Sequence, residues 1–318
     1  MTTIRYALGC FLFVVLFAAA SMAQNRTFVS GTGSDSNPCS LSSPCRSFAQ
    51  AISQVPAGGE VVVLDSAGYG SFTVNKAITV EAPPGVYAGV GATSGAAIAV
   101  NATAGVDTVI LRGLTIYNQA LDNADGIMFN TGGTLHIENC IVNGFTGGIG
   151  IYIASPGNFF VKDTIVRGNA TGVLVLNRSN GAATLTMDHC RLDDNATQTG
   201  LSLETQVAPT ATITAAIRNS SLSGNAVGID VTTANTGSVS LDVESCLITN
   251  NAGTGITVSG NSFPPTFDAT VSISNCTISR NPVQGFQIQL GGQILSRGNN
   301  TITGNGANTG ALTPLAGQ

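Results

Sequence analysis

The sequence predicts an all-β solenoid: a right-handed parallel β-helix with three strands per coil and a short N-terminal capping helix. Three observations carry that prediction. A repeat of roughly 26 residues runs through the chain, each repeat holds apolar pairs of period two, and glycine is abundant while charge is scarce. Gly supplies 39 of 318 residues, charged residues 9% and hydrophobic residues 43%. That much apolar mass can fill a core, and short strands joined by Gly/Asn turns suit it better than helices.

The first residues are set apart from the fold. Arg5 precedes an uncharged apolar run over 6–20, and Ser21-Met22-Ala23 places small residues where a signal peptidase inspects them. Residues 1–23 are therefore expected to be a cleavable signal peptide. The run is shorter than the roughly 20 apolar residues that span a bilayer. A secreted or periplasmic protein follows, with no membrane association after cleavage. Losing Arg5 takes the net charge from −5 to −6. Nothing basic invites nucleic acid or an anionic membrane.

Residues 24–59 read as an N-terminal cap. Cys39 and Cys45 flank a Pro-bounded loop, a spacing that suggests a local disulfide in an exported chain. A short helix is expected over 44–55, with Ser43 as N-cap, Pro44 in the first turn and Gly58-Gly59 past the end. Phe48, Ala51, Ile52 and Val55 share one face, which would plug the first coil. Strands at 60–64, 71–74, 77–80 and 96–100 begin the solenoid.

The repeat is clearest when the chain is aligned on Leu114, Cys140, Thr164, Cys190, Ser220, Cys246, Cys276 and Asn300. Successive anchors lie 26, 24, 26, 30, 26, 30 and 24 residues apart. Apolar pairs stand five and three residues before each anchor, as in Leu135/Ile137 and Leu185/Met187. Another apolar residue follows at +2, and a third set follows a glycine, as in Gly172-Val173-Leu174-Val175 and Gly148-Ile149-Gly150-Ile151. Period two marks strands with one buried face, and coils about 4.8 Å apart stack equivalent residues into columns. Asn169, Asn195, Asn225, Asn251, Asn281 and Asn305 recur at +5. They are expected to be structural, tolerating a left-handed turn and hydrogen-bonding along the axis. The four repeat cysteines read as buried small apolar thiols, with Cys246 and Cys276 on adjacent coils. The solenoid is expected over 60–303 and a C-terminal tail, without an apolar stripe, over 304–318. Longer connections fall at 117–125, 204–214 and 259–270.

This coil pattern resembles the right-handed β-helix repeat of the pectin-lyase-like superfamily. The stretch Asp35-Ser36-Asn37-Pro38-Cys39, Pro44-Cys45-Arg46-Ser47-Phe48 and Gly58-Gly59-Glu60-Val61-Val62-Val63-Leu64-Asp65 is similar to that of uncharacterised bacterial secreted members. The resemblance specifies a fold, and one fold hosts many functions.

Two residues before each anchor the chain reads Arg112, Glu138, Lys162, Asp188, Arg218, Glu244, Ser274 and Gly298. Alternating signs on adjacent strands predict a salt-bridge ladder that fixes stacking register. The resemblance implies a rival reading, a groove in which Lys162 or Arg218 abstracts a proton while acids hold Ca²⁺. A Ca²⁺ site needs acids without bases between them, so the ladder is favoured and no cofactor or metal is expected otherwise. Asp163 lies one coil before His189 in the same column and would pair with it, but no nucleophile stands in register. His136 is expected to face outward, and Asp193-Asp194 to form a solvated turn. Tyr117, Tyr152, Phe160 and Phe263 are the candidate exposed aromatics for ligand stacking. The leading expectation is a protein that binds polysaccharide or presents a surface to it. A polysaccharide lyase or glycoside hydrolase is the alternative, and a purely structural surface protein the third reading; oligomeric state is left open.

Overall fold

The computed structural model describes residues 25–120, 123–206, 210–234, 237–261 and 268–315. The expected signal peptide and Phe263 lie outside them. The described residues form a parallel β-helix with three sheets of twelve, ten and nine strands. Each coil adds one strand to each sheet, as with Thr134–Glu138, Ile141–Asn143 and Ile149–Ile153. Neighbouring coils pair in parallel and in register: Val109, Leu135, Phe159, Leu185 and Ala215 stand opposite one another along the first sheet. All five are at most 3% exposed. The period-two pairs of the sequence are thus inward columns, and the residues between them face out.

Third-sheet register differs from expectation in one coil. Ile127, Ile151 and Val173 are paired, so Gly126 aligns with Gly150 and Gly172, and Gly148 falls two residues early. This glycine has a packing cause. A Cβ on Gly172 would stand 2.5 Å from the Gly200 carbonyl oxygen and 2.9 Å from Asn195 Nδ2.

That amide belongs to a buried ladder at the corner between the second and third sheets. Asn195, Asn225, Asn251 and Asn281 are all 0% exposed. Asn225 Oδ1 accepts from the backbone N–H of Asn195 at 2.9 Å and from its Nδ2 at 3.0 Å. Asn225 Nδ2 in turn donates to Leu192 O at 2.9 Å and to Asn251 Oδ1 at 3.1 Å. The stacking of amides is as expected; the left-handed backbone is not theirs. It falls one residue earlier, at Gly144, Gly168, Asp194, Gly224, Asn250, Arg280 and Gly304, with φ between 55° and 84°.

The corner between the first and second sheets bends differently. Asn139, Asp163, His189, Asn219, Ser245 and Asn275, immediately before the anchors, all have φ between 48° and 54°. Apart from Leu114, the anchor side chains then turn back to the backbone. Thr164 Oγ1 donates to Lys162 O at 2.8 Å and accepts from Cys140 N, while Ser220 Oγ donates to Arg218 O at 2.7 Å and accepts from Cys190 N. The cysteine anchors are buried free thiols. They are more than apolar filler, since Cys246 Sγ lies 3.1 Å from Glu244 O and Cys276 Sγ 3.2 Å from Ser274 O. Cys, Thr, Ser and Asn share this column because each can supply a weak or strong donor there.

At the N-terminal end, Arg26–Val29 is a strand of the first sheet paired with Gly59–Val63, an element that the sequence reading missed. Its presence moves the helix. Cys45 N–H donates to Phe28 O and Cys45 O accepts from Ser30 N–H, so the chain is still extended at Cys45. The helix therefore spans Phe48–Gln54, capped by Ser47 and not by Ser43. Asp35 accepts from Arg46 N, Ser47 N and Ser47 Oγ, tethering the cap to the loop. Phe48 plugs the first coil against Tyr69 and Phe72, with ring centroids 5.2 and 4.8 Å away. The Cys39–Cys45 disulfide is formed, with Cα atoms 4.6 Å apart.

The other end adds a further partial coil. Thr301–Thr303 extends the second sheet, and Thr313–Pro314 pairs with Leu295 and Ser296. Asn305 ends the amide ladder.

Candidate functional site

The outward face of the first sheet carries the charge column, in register from Glu81 through Arg112, Glu138, Lys162, Asp188, Arg218 and Glu244 to Ser274. The ladder is well made at its N-terminal end. Arg112 bridges Glu81 at 2.7 Å and Glu138 at 2.8 Å. At the next rung it stops. Lys162 Nζ approaches Asp163 at 3.9 Å instead of Glu138 or Asp188, and its side chain is 60% exposed.

Asp188 also has company other than Lys162. Its Oδ1 accepts from Asn219 Nδ2 at 3.0 Å, with His189 Nδ1 at 3.0 Å and Arg218 Nε at 3.4 Å. The Asn219 amide first, then His189 and Arg218, hold its carboxyl below the usual aspartate range against the cost of burial. The histidine partner is thus Asp188 on the same strand end, while Asp163 turns toward Lys162.

The break in the ladder opens a hollow of about 290 Å³ lined by His136, Glu138, Phe160, Lys162, Asp188 and Arg218. His136 faces outward and stacks on Phe160, with centroids 4.7 Å apart and planes 15° from parallel. Phe160 is 40% exposed, an unusual fraction for a phenylalanine. Its strand neighbours explain its position: Phe159 and Val161 point inward, so Phe160 must point out. The hollow therefore combines an aromatic face, two cations and two acids that already have partners.

Those commitments bear on Ca²⁺. Glu138 is bonded to Arg112, Asp188 to Arg218 and His189, and Lys162 lies between the two acids in register. This donor set does not fit a hard divalent cation, which takes six to eight oxygens from clustered carboxylates and carbonyls. Among the described residues, no three His, Cys, Asp or Glu side chains gather as a metal set.

The aromatic candidates do not form one row. Tyr117 lies on the second sheet, Tyr152 on the third and Phe160 on the first. Asp193 is not solvated; it is 7% exposed, bound by Arg191 at 2.9 Å and by Ser221 Oγ at 3.1 Å. Two acids that the sequence reading passed over meet on the third sheet. Glu204 accepts from Ser202 Oγ at 2.8 Å, and the Asp230 carboxyl is pushed up to about 6 by burial and then by the charge of Glu204. Both sit at outward positions of a regular strand, and only their register, Ser202 opposite Asp230 and Glu204 opposite Thr232, makes them neighbours.

A stacked three-sheet solenoid with a buried amide ladder and a polar outer sheet defines a β-helix repeat protein. The right-handed β-helix region family matches residues 96–271, and the chain belongs to it. Among solved structures it is similar to pectate lyase Pel9A, with a TM-score of 0.66 at 16% identity over 92% of this chain and 78% of that one. The pectin methylesterase PemA from Erwinia chrysanthemi aligns with a TM-score of 0.42 and 10% identity over 91% of this chain and 92% of that one. At such identities the likeness extends to architecture alone. No curated protein matches the sequence.

Proposed function

We propose that this protein is exported and binds polysaccharide along the outer face of its first sheet, at the hollow centred on Phe160 and Lys162. One observation carries the reading: the charge ladder is interrupted where a stacked aromatic face is exposed. An unbroken salt-bridge column would serve stacking alone. Here Lys162 and Arg218 flank an apolar ring, the pairing that a sugar ring bearing a carboxylate would use through stacking and charge-assisted hydrogen bonds. The Cys39–Cys45 disulfide and the Ser21-Met22-Ala23 leader support export. The similarity to a pectate lyase fold supports the choice of ligand class.

Polygalacturonate binding by the mature protein tests this, with and without Ca²⁺. Binding should weaken about tenfold in Lys162→Ala or Phe160→Ala, as expected for losing one charge-assisted bond or one stacking face. Binding equally strong in both variants would overturn the reading. Release of unsaturated products, abolished by Lys162→Ala or Arg218→Ala, would make the hollow a lyase site.

A further inference from the structure

The second sheet carries another aromatic face, built in a different way. Strand Ala88–Ala92 reads Ala-Gly-Val-Gly-Ala, with Ala88, Val90 and Ala92 in the core. Gly89 and Gly91 occupy outward positions and yet are buried, because side chains lie down on them. A Cβ on Gly89 would stand 3.0 Å from Cε1 and the hydroxyl oxygen of Tyr87, and one on Gly91 would stand 2.3 Å from Gln119 Oε1. One coil earlier, Gly68 is paired with Gly89, and a Cβ there would be 3.7 Å from the Tyr117 hydroxyl. The glycines make a floor on which two tyrosines and an amide rest. Tyr87 remains 46% exposed although its inner edge is against the sheet. Gln119 Nε2 donates to the Tyr117 hydroxyl at 3.3 Å, and the Tyr87 backbone N–H donates to Ser66 Oγ at 3.0 Å. Burial first, and then Tyr117, raise the Tyr87 phenol above its ordinary range, so it stays neutral.

We propose that Tyr87 and Tyr117, with Gln119, form a carbohydrate subsite that takes a neutral pyranose by stacking on the exposed tyrosine face. This inference does not rest on the first-sheet reading, because the two surfaces lie on different sheets and differ in chemistry. Ser66, Tyr87, Tyr117, Gln119 and the glycine floor carry no charge. A uronate carboxylate would lose water there with no cation to replace it, whereas the C–H face of a neutral ring packs on the negative face of a phenol ring. The hydroxyls and the Gln119 amide supply both donors and acceptors for equatorial sugar hydroxyls.

Calorimetric titration of the mature protein with cellohexaose, mannohexaose and hexagalacturonate tests the proposal. At least one neutral hexasaccharide should bind, and Tyr87→Ala and Tyr117→Ala should each weaken it about tenfold, the loss expected for one stacking ring. Tyr87→Phe keeps the ring and should stay within about threefold, which separates loss of stacking from loss of fold. Gly89→Ala leaves both tyrosines in place but lifts Tyr87 off its floor, and should weaken the same binding. Lys162→Ala should leave neutral-sugar binding unchanged, so failure of the first-sheet reading shows in hexagalacturonate alone. If neither neutral hexasaccharide binds, or if binding survives both tyrosine-to-alanine changes, the subsite does not exist.

Discussion

Two corners of the same coil stack polar side chains in columns, and they do so under opposite constraints. At the second corner the Asn ladder is buried, and each amide in its middle rungs has four hydrogen-bond connections along the column. Near the first corner the charge column stands in solvent and tolerates gaps, with Arg112 doubly bridged and Lys162 turned aside. The difference follows from desolvation. A buried amide left without partners costs its full hydration, so any lapse in the ladder is expensive; an exposed ion pair adds little, so a lapse in the charge column is cheap. The inexpensive column is the one in which a binding site could arise without weakening the fold.

The largest test of that contrast is Asn225→Ala. It strips the acceptor from two donors of Asn195 and the donor from Leu192 O, and should cost about 3 kcal/mol in urea unfolding. A loss below about 1 kcal/mol would mean that water replaces the amide and the ladder is not a closed network. Thr164→Val keeps the shape of an anchor and deletes its bond to Lys162 O, so about 1 kcal/mol should be lost. Arg112→Met, on the exposed column, should cost less than about 1 kcal/mol, and the difference should vanish in 1 M salt. A larger, salt-insensitive cost would show that the outer column is as binding on the fold as the inner one.

The smallest effect concerns pH. Asp188 has a folded pKa below its unfolded value, so its contribution is present above the ordinary aspartate range and is lost as pH falls through the folded value. Asp188→Asn should therefore lower stability slightly at neutral pH, leave it nearly unchanged once pH has fallen below the folded value, and so flatten the acid limb of the stability curve below about pH 4. An unaltered acid limb would remove Asn219, His189 and Arg218 as its stabilisers.

Much of the coil was legible because burial writes period two into the chain. Leu135 and Ile137, or Val173 and Val175, announce inward columns wherever they occur. The +5 asparagines were visible as a column, yet their backbone was misassigned, since an Asn that stacks and an Asn that turns left-handed look alike in one dimension. The Gly148/Gly150 shift had the same origin: both glycines satisfy the pattern, and only the pairing of Ile151 with Ile127 and Val173 places Gly150 in the column. The helix start was misread because the pairing of Cys45 with Arg26–Val29 is a long-range event. On the surface, legibility was lower. The alternating charges were plain, whereas the break at Lys162, the His136–Phe160 stack and the glycine floor under Tyr87 depend on rotamers and on which coils adjoin.

By itself the sequence determined the solenoid, its three sheets, its polar columns and the disulfide loop, since each repeats a local signal that buried surface enforces coil after coil. Tertiary structure decided which charges meet, which aromatics share a face, and where the cap begins. Those outcomes hinge on exposed side chains, whose alternative arrangements differ by about 1 kcal/mol or less and leave no periodic trace in the chain.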